Sequence, residues 1–216
     1  MLKRLARWLG GGEPSTVNAA RFSEVYRARM WGSSESASGP GSERDSGQVR
    51  HAIALLERFT AELKLRSIAD VPCGDFNWMP LFLDAHPEVA YVGYDVAPDL
   101  IADNRRRFPG RRFEVLDVTR QVPARADLLI SKDMFNHLFE RDVWAALENM
   151  TRSGARYLLL TTNGGFENSE LSDAVPHASR YLNLEAEPYS LPEPLYGDHY
   201  MLLFRTEDVV RRLKSR

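Results

Sequence analysis

The sequence predicts an α/β domain with a mostly parallel sheet and helices on both of its faces. Three observations carry this expectation. From residue 67 onward, short β-like runs alternate with helical stretches, the pattern of strand–helix–strand units. The first run ends in Pro72-Cys73-Gly74, a sharp turn. Four of the first five runs are followed by carboxylates, and in an open α/β sheet ligands bind beyond the carboxyl ends of the strands.

The composition fits a globular chain. It has 216 residues, 44% hydrophobic and 27% charged, which sets it apart from collagen, disordered tails and disulfide scaffolds. With 28 Lys+Arg against 30 Asp+Glu, its net charge of −2 gives no overall pull toward nucleic acid or an anionic membrane. The single cysteine, Cys73, can form no internal disulfide, so a reducing, cytoplasmic location is expected. No stretch is long and apolar enough to span a bilayer, and the basic start lacks the apolar run and cleavage site of a secretory signal.

Residues 1–12 form a basic amphipathic piece ending in three glycines, read as a frayed terminal turn rather than a membrane anchor. Residues 15–30 read as a helix, with Phe22, Val25, Tyr26 and Met30 on one face. The Gly/Ser-rich stretch 32–47 has the composition of a flexible linker. Trp31, Glu35, Arg44 and Gln48 punctuate it with groups able to make specific contacts, so it is expected to be an ordered or ligand-ordered loop. A helix follows over 43–65, burying Val49, Ala52, Ile53, Leu56, Phe59 and Leu63.

Strands are expected at 67–71, 89–94, 112–116, 127–130 and 156–161, with a further apolar run at 200–204. Between them lie helices at 76–83, at 98–108 with proline in its first turn, and at 140–150, and a final helix covers 207–214. The proline-bearing segment 164–198 has little periodicity and is expected to wall the substrate side. No internal repeat is visible.

Chemistry should therefore reside in the residues just beyond each strand. A glycine turn followed 25 residues later by an acid at the next strand tip, Asp70 to Asp95, is the logic of a ribose-binding nucleotide site. The turn D-V-P-C-G-D-F has one glycine and two acids, where a pyrophosphate site has G-x-G-x-x-G. Asp70 and Asp75 would repel a diphosphate, whereas an adenosyl ligand with a sulfonium and an α-amino group suits an acidic rim. That argument favours S-adenosylmethionine over NAD.

The segment Asp70-Val-Pro-Cys-Gly-Asp-Phe-Asn-Trp78 resembles the first motif of class I S-adenosylmethionine-dependent methyltransferases, closest to a bacterial small-molecule or glycan-associated subgroup. Tyr91-Val-Gly-Tyr-Asp95, Phe113-Glu-Val-Leu-Asp117 and the run from Asp127 to Leu138 resemble the following motifs, and the stretch from Trp31 to Ser42 resembles the subgroup's preface. Pro72 and Phe76 depart from the pattern, standing where glycines are commonest. The resemblance implies a Rossmann-like class I methyltransferase fold with a seven-stranded sheet and an N-terminal helical extension. It divides the chain into a cap over residues 1–42 and a methyltransferase domain over 43–216. It further implies that Gly74 admits the methionine part of S-adenosyl-L-methionine and that Asp70 binds its amino group directly or through water. Asp95 would take the ribose hydroxyls, Asp117 beside Val118 the adenine amino group, and a carbonyl of Ser131 or Lys132 the amino group again. Trp31, Pro72, Cys73 and Val96 complete the expected cofactor set.

His137, beside Asp133, could serve as a general base for a substrate hydroxyl, or be a helix-start histidine bonded to backbone. His199, beside Asp198, is a second candidate on the substrate-side segment. Trp31 either stacks on the cofactor or closes the core. Cys73 reads as a packing residue and Trp78 as core or cleft lining. The cluster Arg105-Arg-Arg107 with Arg111 and Arg112 complements a helix end and stays solvated. No histidine has metal-ligand spacing, so no metal is expected.

The resulting expectation is methyl transfer to an oxygen or nitrogen of a small polar molecule or sugar, with no nucleic-acid partner, no stable membrane insertion and oligomeric state left open. The alternatives are a non-catalytic S-adenosylmethionine-binding regulatory module and an NAD-dependent dehydrogenase.

Overall fold

In the computed structural model the described residues are 14–215; the amphipathic piece expected at residues 1–12 lies outside them. Helix α1 (Pro14–Arg27) leads into a loop containing a single 3-10 turn, Pro40–Ser42, and then α2 (Gly47–Leu63). The sheet comprises β1 (Ser67–Asp70), β2 (Ala90–Asp95), β3 (Arg112–Val115), β4 (Leu128–Ser131), β5 (Tyr157–Thr161), β6 (Tyr196–Gly197) and β7 (Met201–Arg205). Helices α3 (Met79–Leu83), α4 (Pro98–Arg107), α5 (Glu140–Arg152) and α6 (Thr206–Lys214) complete the fold.

The strand order is β3-β2-β1-β4-β5-β7-β6. The first five strands run parallel, β7 is antiparallel to β5, and β6 is antiparallel to β7. Both faces are covered, so the inner strands read as continuous apolar runs rather than alternating ones. Every residue of β4 is buried, as are Leu158–Thr161 of β5 and Met201–Phe204 of β7. Successive side chains point to opposite faces. Ala69, Leu129, Leu158, Leu160, Leu202 and Phe204 therefore meet Val143, Ala146, Leu147 and Met150 of α5 on one side. Ile68, Leu128, Ile130, Leu159, Met201 and Leu203 meet Val49, Ala52, Leu55, Leu56 and Phe59 of α2 on the other.

Several boundaries differ from the sequence expectation for local reasons. Helix α2 begins at Gly47, not residue 43, because the Ser46 hydroxyl caps it by accepting from the Val49 N–H at 3.1 Å. The residues before it wind as turns instead, with the Glu43 and Ser46 N–H groups donating to the Pro40 and Glu43 carbonyls. Helix α3 starts only at Met79, since residues 73–78 form the turn after β1. Strand β6 is two residues long, too short to show periodicity, and exists because Tyr196 and Gly197 pair with Leu203 and Leu202.

Phe76 adopts a left-handed φ of 56° at the position where the commonest motif has glycine. Its ring is buried against Phe108, Phe113 and Tyr91, with centroids 4.8, 4.9 and 5.2 Å away. Burying a large aromatic in such a cluster offsets the 1–2 kcal/mol scale of a left-handed residue. Beside it Gly93 leaves no room for a side chain: a Cβ would lie 2.8 Å from the Tyr91 hydroxyl and 2.9 Å from both Cys73 and Phe113.

Because β1 pairs with both β2 and β4 while the chain crosses over on opposite sides, the sheet reverses direction of growth at β1. The carboxyl edge beside that switch point is where a crevice opens in such sheets.

Candidate active site

A cleft occupies that edge. It encloses about 890 Å³ of space free of protein atoms, its open mouth included. Its walls come from α1, the loop after it, the turn after β1, and the segments following β2, β3 and β4.

The turn after β1 is fixed from two directions. The Cys73 N–H donates to the Tyr94 carbonyl at 2.7 Å, and Asn104 Nδ2 donates to the Gly74 carbonyl at 2.7 Å. Gly74 has φ 53°, and a Cβ there would sit 2.2 Å from Ser38 Oγ. The space that glycine leaves is thus taken by a hydroxyl of the Gly/Ser-rich loop. Asp75 holds this loop: its carboxylate accepts from Ser36 Oγ at 3.0 Å, from the Ala37 N–H at 2.6 Å and from Ser38 Oγ at 3.1 Å. Asn77 Nδ2 donates to Glu35 Oε1 at 2.6 Å, Ser33 Oγ to Glu43 Oε1 at 2.7 Å, and Lys132 Nζ to the Gly41 carbonyl at 2.8 Å. The stretch with a linker's composition is an ordered wall.

Along that wall, Asp95 is buried, with Oδ1 accepting from the Ala97 N–H at 3.0 Å and Oδ2 from the Tyr26 hydroxyl at 3.2 Å. Burial pushes its carboxyl up to about 6, against the hydrogen bonds that favour the anion. Asp117 Oδ1 accepts from Thr119 N–H and Oγ1 at 3.0 and 2.6 Å. Its Oδ2 is buried and has no partner among the described residues, although Leu116, Val118 and Val96 line the cleft around it. A buried acceptor left unpaired is costly, and a donor brought to this pole would relieve that cost.

Asp133, with φ 54°, accepts from the Tyr200 hydroxyl at 2.9 Å and pairs with Lys132 Nζ at 2.6 Å. Burial, then the Asp133 charge, push the Tyr200 phenol far up. His137 sits 2.9 Å from the Ala178 carbonyl through Nδ1. A carbonyl can only accept, so Nδ1 carries the proton, and in the neutral ring Nε2 is left with its lone pair. Burial lowers the pKa of this imidazole and so keeps it neutral near pH 7. The Trp31 ring lies 5.2 Å from that of His137 and 5.1 Å from that of Tyr26, while its buried Nε1 lacks a partner among the described residues. Trp31 thus closes the packing and lines the cleft at once. Cys73 is buried, its thiol pushed well up first by burial, as suits a packing residue. Arg105, at the end of α4, donates to the Phe113 carbonyl, and Arg111 and Arg112 pair with Asp84 and Glu114.

Of the residues singled out in the sequence, Trp31, Pro72, Cys73, Gly74, Asp95, Val96, Asp117, Val118, Lys132, Asp133 and His137 line this cleft. Three do not. Asp70 alternates with Ala69 in β1 and so shares the face of Ile68. It accepts from the Tyr91 hydroxyl at 2.8 Å behind the turn, and burial raises its carboxyl to about 7. Ser131 is fully buried, its carbonyl already accepting from Thr161 Oγ1 at 3.2 Å. His199 lies in a separate shallow hollow with Glu185, Glu193 and Asp198, where its carbonyl accepts from the Gly164 N–H at 3.0 Å. Sequence reasoning missed Asn18, Tyr26 and Ser38 as cleft residues, and it placed Asp75 at the rim without its role in holding the loop. Tyr26 carried the one usable signal, a polar tip in an otherwise apolar helical stripe.

No family model matches the chain. A 76-residue stretch, 35% of the chain, is 37% identical to trans-aconitate 2-methyltransferase of Methylobacterium nodulans and covers 29% of that protein. The chain thus spans under a third of the curated relative it matches. Among solved structures, a protein from Pyrococcus horikoshii aligns over 77% of this chain and 95% of its own, with TM-score 0.53 and 17% identity. The N-terminal domain of EvdMO1 with SAH bound aligns over 74% of this chain and 82% of its own, with TM-score 0.53 and 14% identity. With the strand order described above, these likenesses establish a Rossmann-like class I methyltransferase fold.

Asp75→Ala should lower stability by about 2–4 kcal/mol, since it strips a buried charge-assisted network, and should make the 32–42 loop cleavable by protease at a rate wild type does not show. Chemical denaturation and limited proteolysis measure both. A second expectation concerns pH. Asp70 and Asp95 titrate near 7 and 6 in the fold but near 3.9 unfolded, so each favours the folded state most below pH 4, and that contribution disappears as pH rises through 6 and 7. Asp70→Asn should therefore lose less stability than wild type between pH 5 and 8 in urea titrations.

Proposed function

We propose that this chain is an S-adenosylmethionine-dependent methyltransferase acting on an oxygen or nitrogen of a small polar molecule or sugar. The observation that carries the reading is Asp117 Oδ2, a buried acceptor without a partner between apolar walls, which fits the exocyclic amino group of adenine. Asp95, the acid after the preceding strand, is then the ribose-binding carboxylate, and Val96 and Val118 flank the base. The resemblance of the 76-residue stretch to a methyltransferase supports the same reading. A dehydrogenase would have to seat a diphosphate at Gly74 and Asp75, where Ser38 already fills the space and a carboxylate stands.

When bound, the cofactor supplies an activated methyl group on a cationic sulfonium. The chain's own residues then bind, orient and exclude water. Residues 14–42, α1 and the loop held by Asp75, act as a cap on a core that begins at 43. Tyr26 orients the Asp95 carboxylate from that cap. His137, with its Nδ1 proton fixed on Ala178, offers Nε2 to take the proton that an acceptor hydroxyl gives up as its new bond to carbon forms, or that a neutral amine gives up after it is methylated. Trp31 and Phe22 shield this end from solvent. Among the described residues no helix is long and apolar enough to cross a membrane.

Calorimetric titration with S-adenosylhomocysteine tests the cofactor assignment. Wild type should bind, and Asp95→Ala should bind about 10–100-fold more weakly, the scale of a lost hydrogen-bonding carboxylate; equal affinity would sink the assignment. His137→Gln should leave that affinity intact while slowing methyl transfer about 100-fold in single-turnover assays on a panel of polar acceptors. A chain that binds the cofactor and methylates nothing would be a regulatory module instead.

A further inference from the structure

The cleft's charges are unbalanced in a way that bears on what can enter it. Four carboxylates line it, Asp75, Asp95, Asp117 and Asp133, against one ammonium, Lys132. That ammonium is already engaged by the Gly41 carbonyl and the Asp133 carboxylate, and its side chain is 3% exposed. Arg21, on the helix that forms the adjoining wall, donates to the carbonyls of Pro176 and His137 at 2.8 and 3.0 Å, so its guanidinium is turned into the backbone. Among the described residues of the cleft, no cation remains to receive a carboxylate or phosphate of an incoming molecule.

The acceptor end is otherwise well supplied with hydrogen-bonding groups of the neutral kind. Trp31 presents an indole N–H without a partner among the described residues, Asn18 a carboxamide, and His137 the lone pair of Nε2. In the same cleft the Asp133 side chain is 32% exposed, although Lys132 and Tyr200 hold it in place. Lys132 balances one of the four carboxylates, so a negative group brought beside Asp133 would meet the remaining excess of negative charge in a partly desolvated site, where the interaction is several times stronger than in water.

We infer that the methyl acceptor is an uncharged or cationic polar molecule, a polyol or an amine, and that the Asp133 carboxylate sets this preference against anionic acceptors. The inference rests on the methyltransferase reading for which end of the cleft the acceptor occupies, and it goes beyond that reading in naming a charge class and the residue that selects it.

Three probes of one size and different charge test it: glucosamine, glucose and glucuronate, titrated by NMR into wild-type protein saturated with S-adenosylhomocysteine. Glucuronate should bind at least about tenfold more weakly than glucosamine, with glucose between them. In Asp133→Asn, which keeps hydrogen-bonding capacity toward Tyr200, the gap should narrow to within about threefold. Glucuronate binding as tightly as glucosamine, three equal responses (none at all included), or a gap that survives in Asp133→Asn would each overturn the inference while leaving cofactor binding intact. Failure of wild type to bind S-adenosylhomocysteine in the loading step would instead remove the methyltransferase reading, and this inference with it.

Discussion

The carboxylate of Asp75 is the constraint on which the rest of the site depends. It lies at the turn where β1 gives way to irregular backbone, and it converts a stretch of glycine and serine into a wall by giving two hydroxyls and an N–H a shared charged acceptor. Without it the cost of ordering residues 32–42 would fall on the Asn77–Glu35, Ser33–Glu43 and Lys132–Gly41 contacts. With it, Ser38 reaches the turn, Gly41 meets Lys132, and Lys132 fixes Asp133. One buried charge thus propagates through the loop to the opposite wall of the cleft.

That chain of contacts explains the distribution of acidic groups better than their number does. Asp75 and Asp133 are structural anchors with one face still toward the cleft, whereas Asp95 and Asp117 have acceptor capacity directed into it. Burial works against ionisation at Asp70 and Asp95, so the fold bears an electrostatic strain at neutral pH that a cationic occupant would relieve. The general character of the site, acid-lined with apolar panels, follows from where the strand tips fall rather than from any single motif.

Much of this was legible in the sequence for a simple reason. Strands covered on both faces leave uninterrupted apolar runs, and β4, β5 and β7 are such runs, so the sheet and its carboxyl edge could be placed from the chain alone. Asp95, Asp117 and His137 followed from that edge. What stayed hidden depends on details that periodicity does not encode. Whether Asp70 faces the cleft is decided by one step of alternation in a four-residue strand. The Tyr26 contact with Asp95 spans 69 positions, and His199 lies in a hairpin whose outer strand is two residues long. Long-range side-chain bonds and very short strands leave no local signature.

The crowding at Gly74 has a consequence for reading related chains. The glycine is required here because Ser38 of the same chain stands 2.2 Å from where its side chain would begin. The demand therefore comes from folding and persists whether or not anything binds in the cleft. A descendant that had lost its chemistry but kept its cap would still retain that glycine, so the turn motif by itself records ancestry of the scaffold, and only lining residues with a polar atom that the fold leaves unpaired, such as Asp117, record whether the site is still in use.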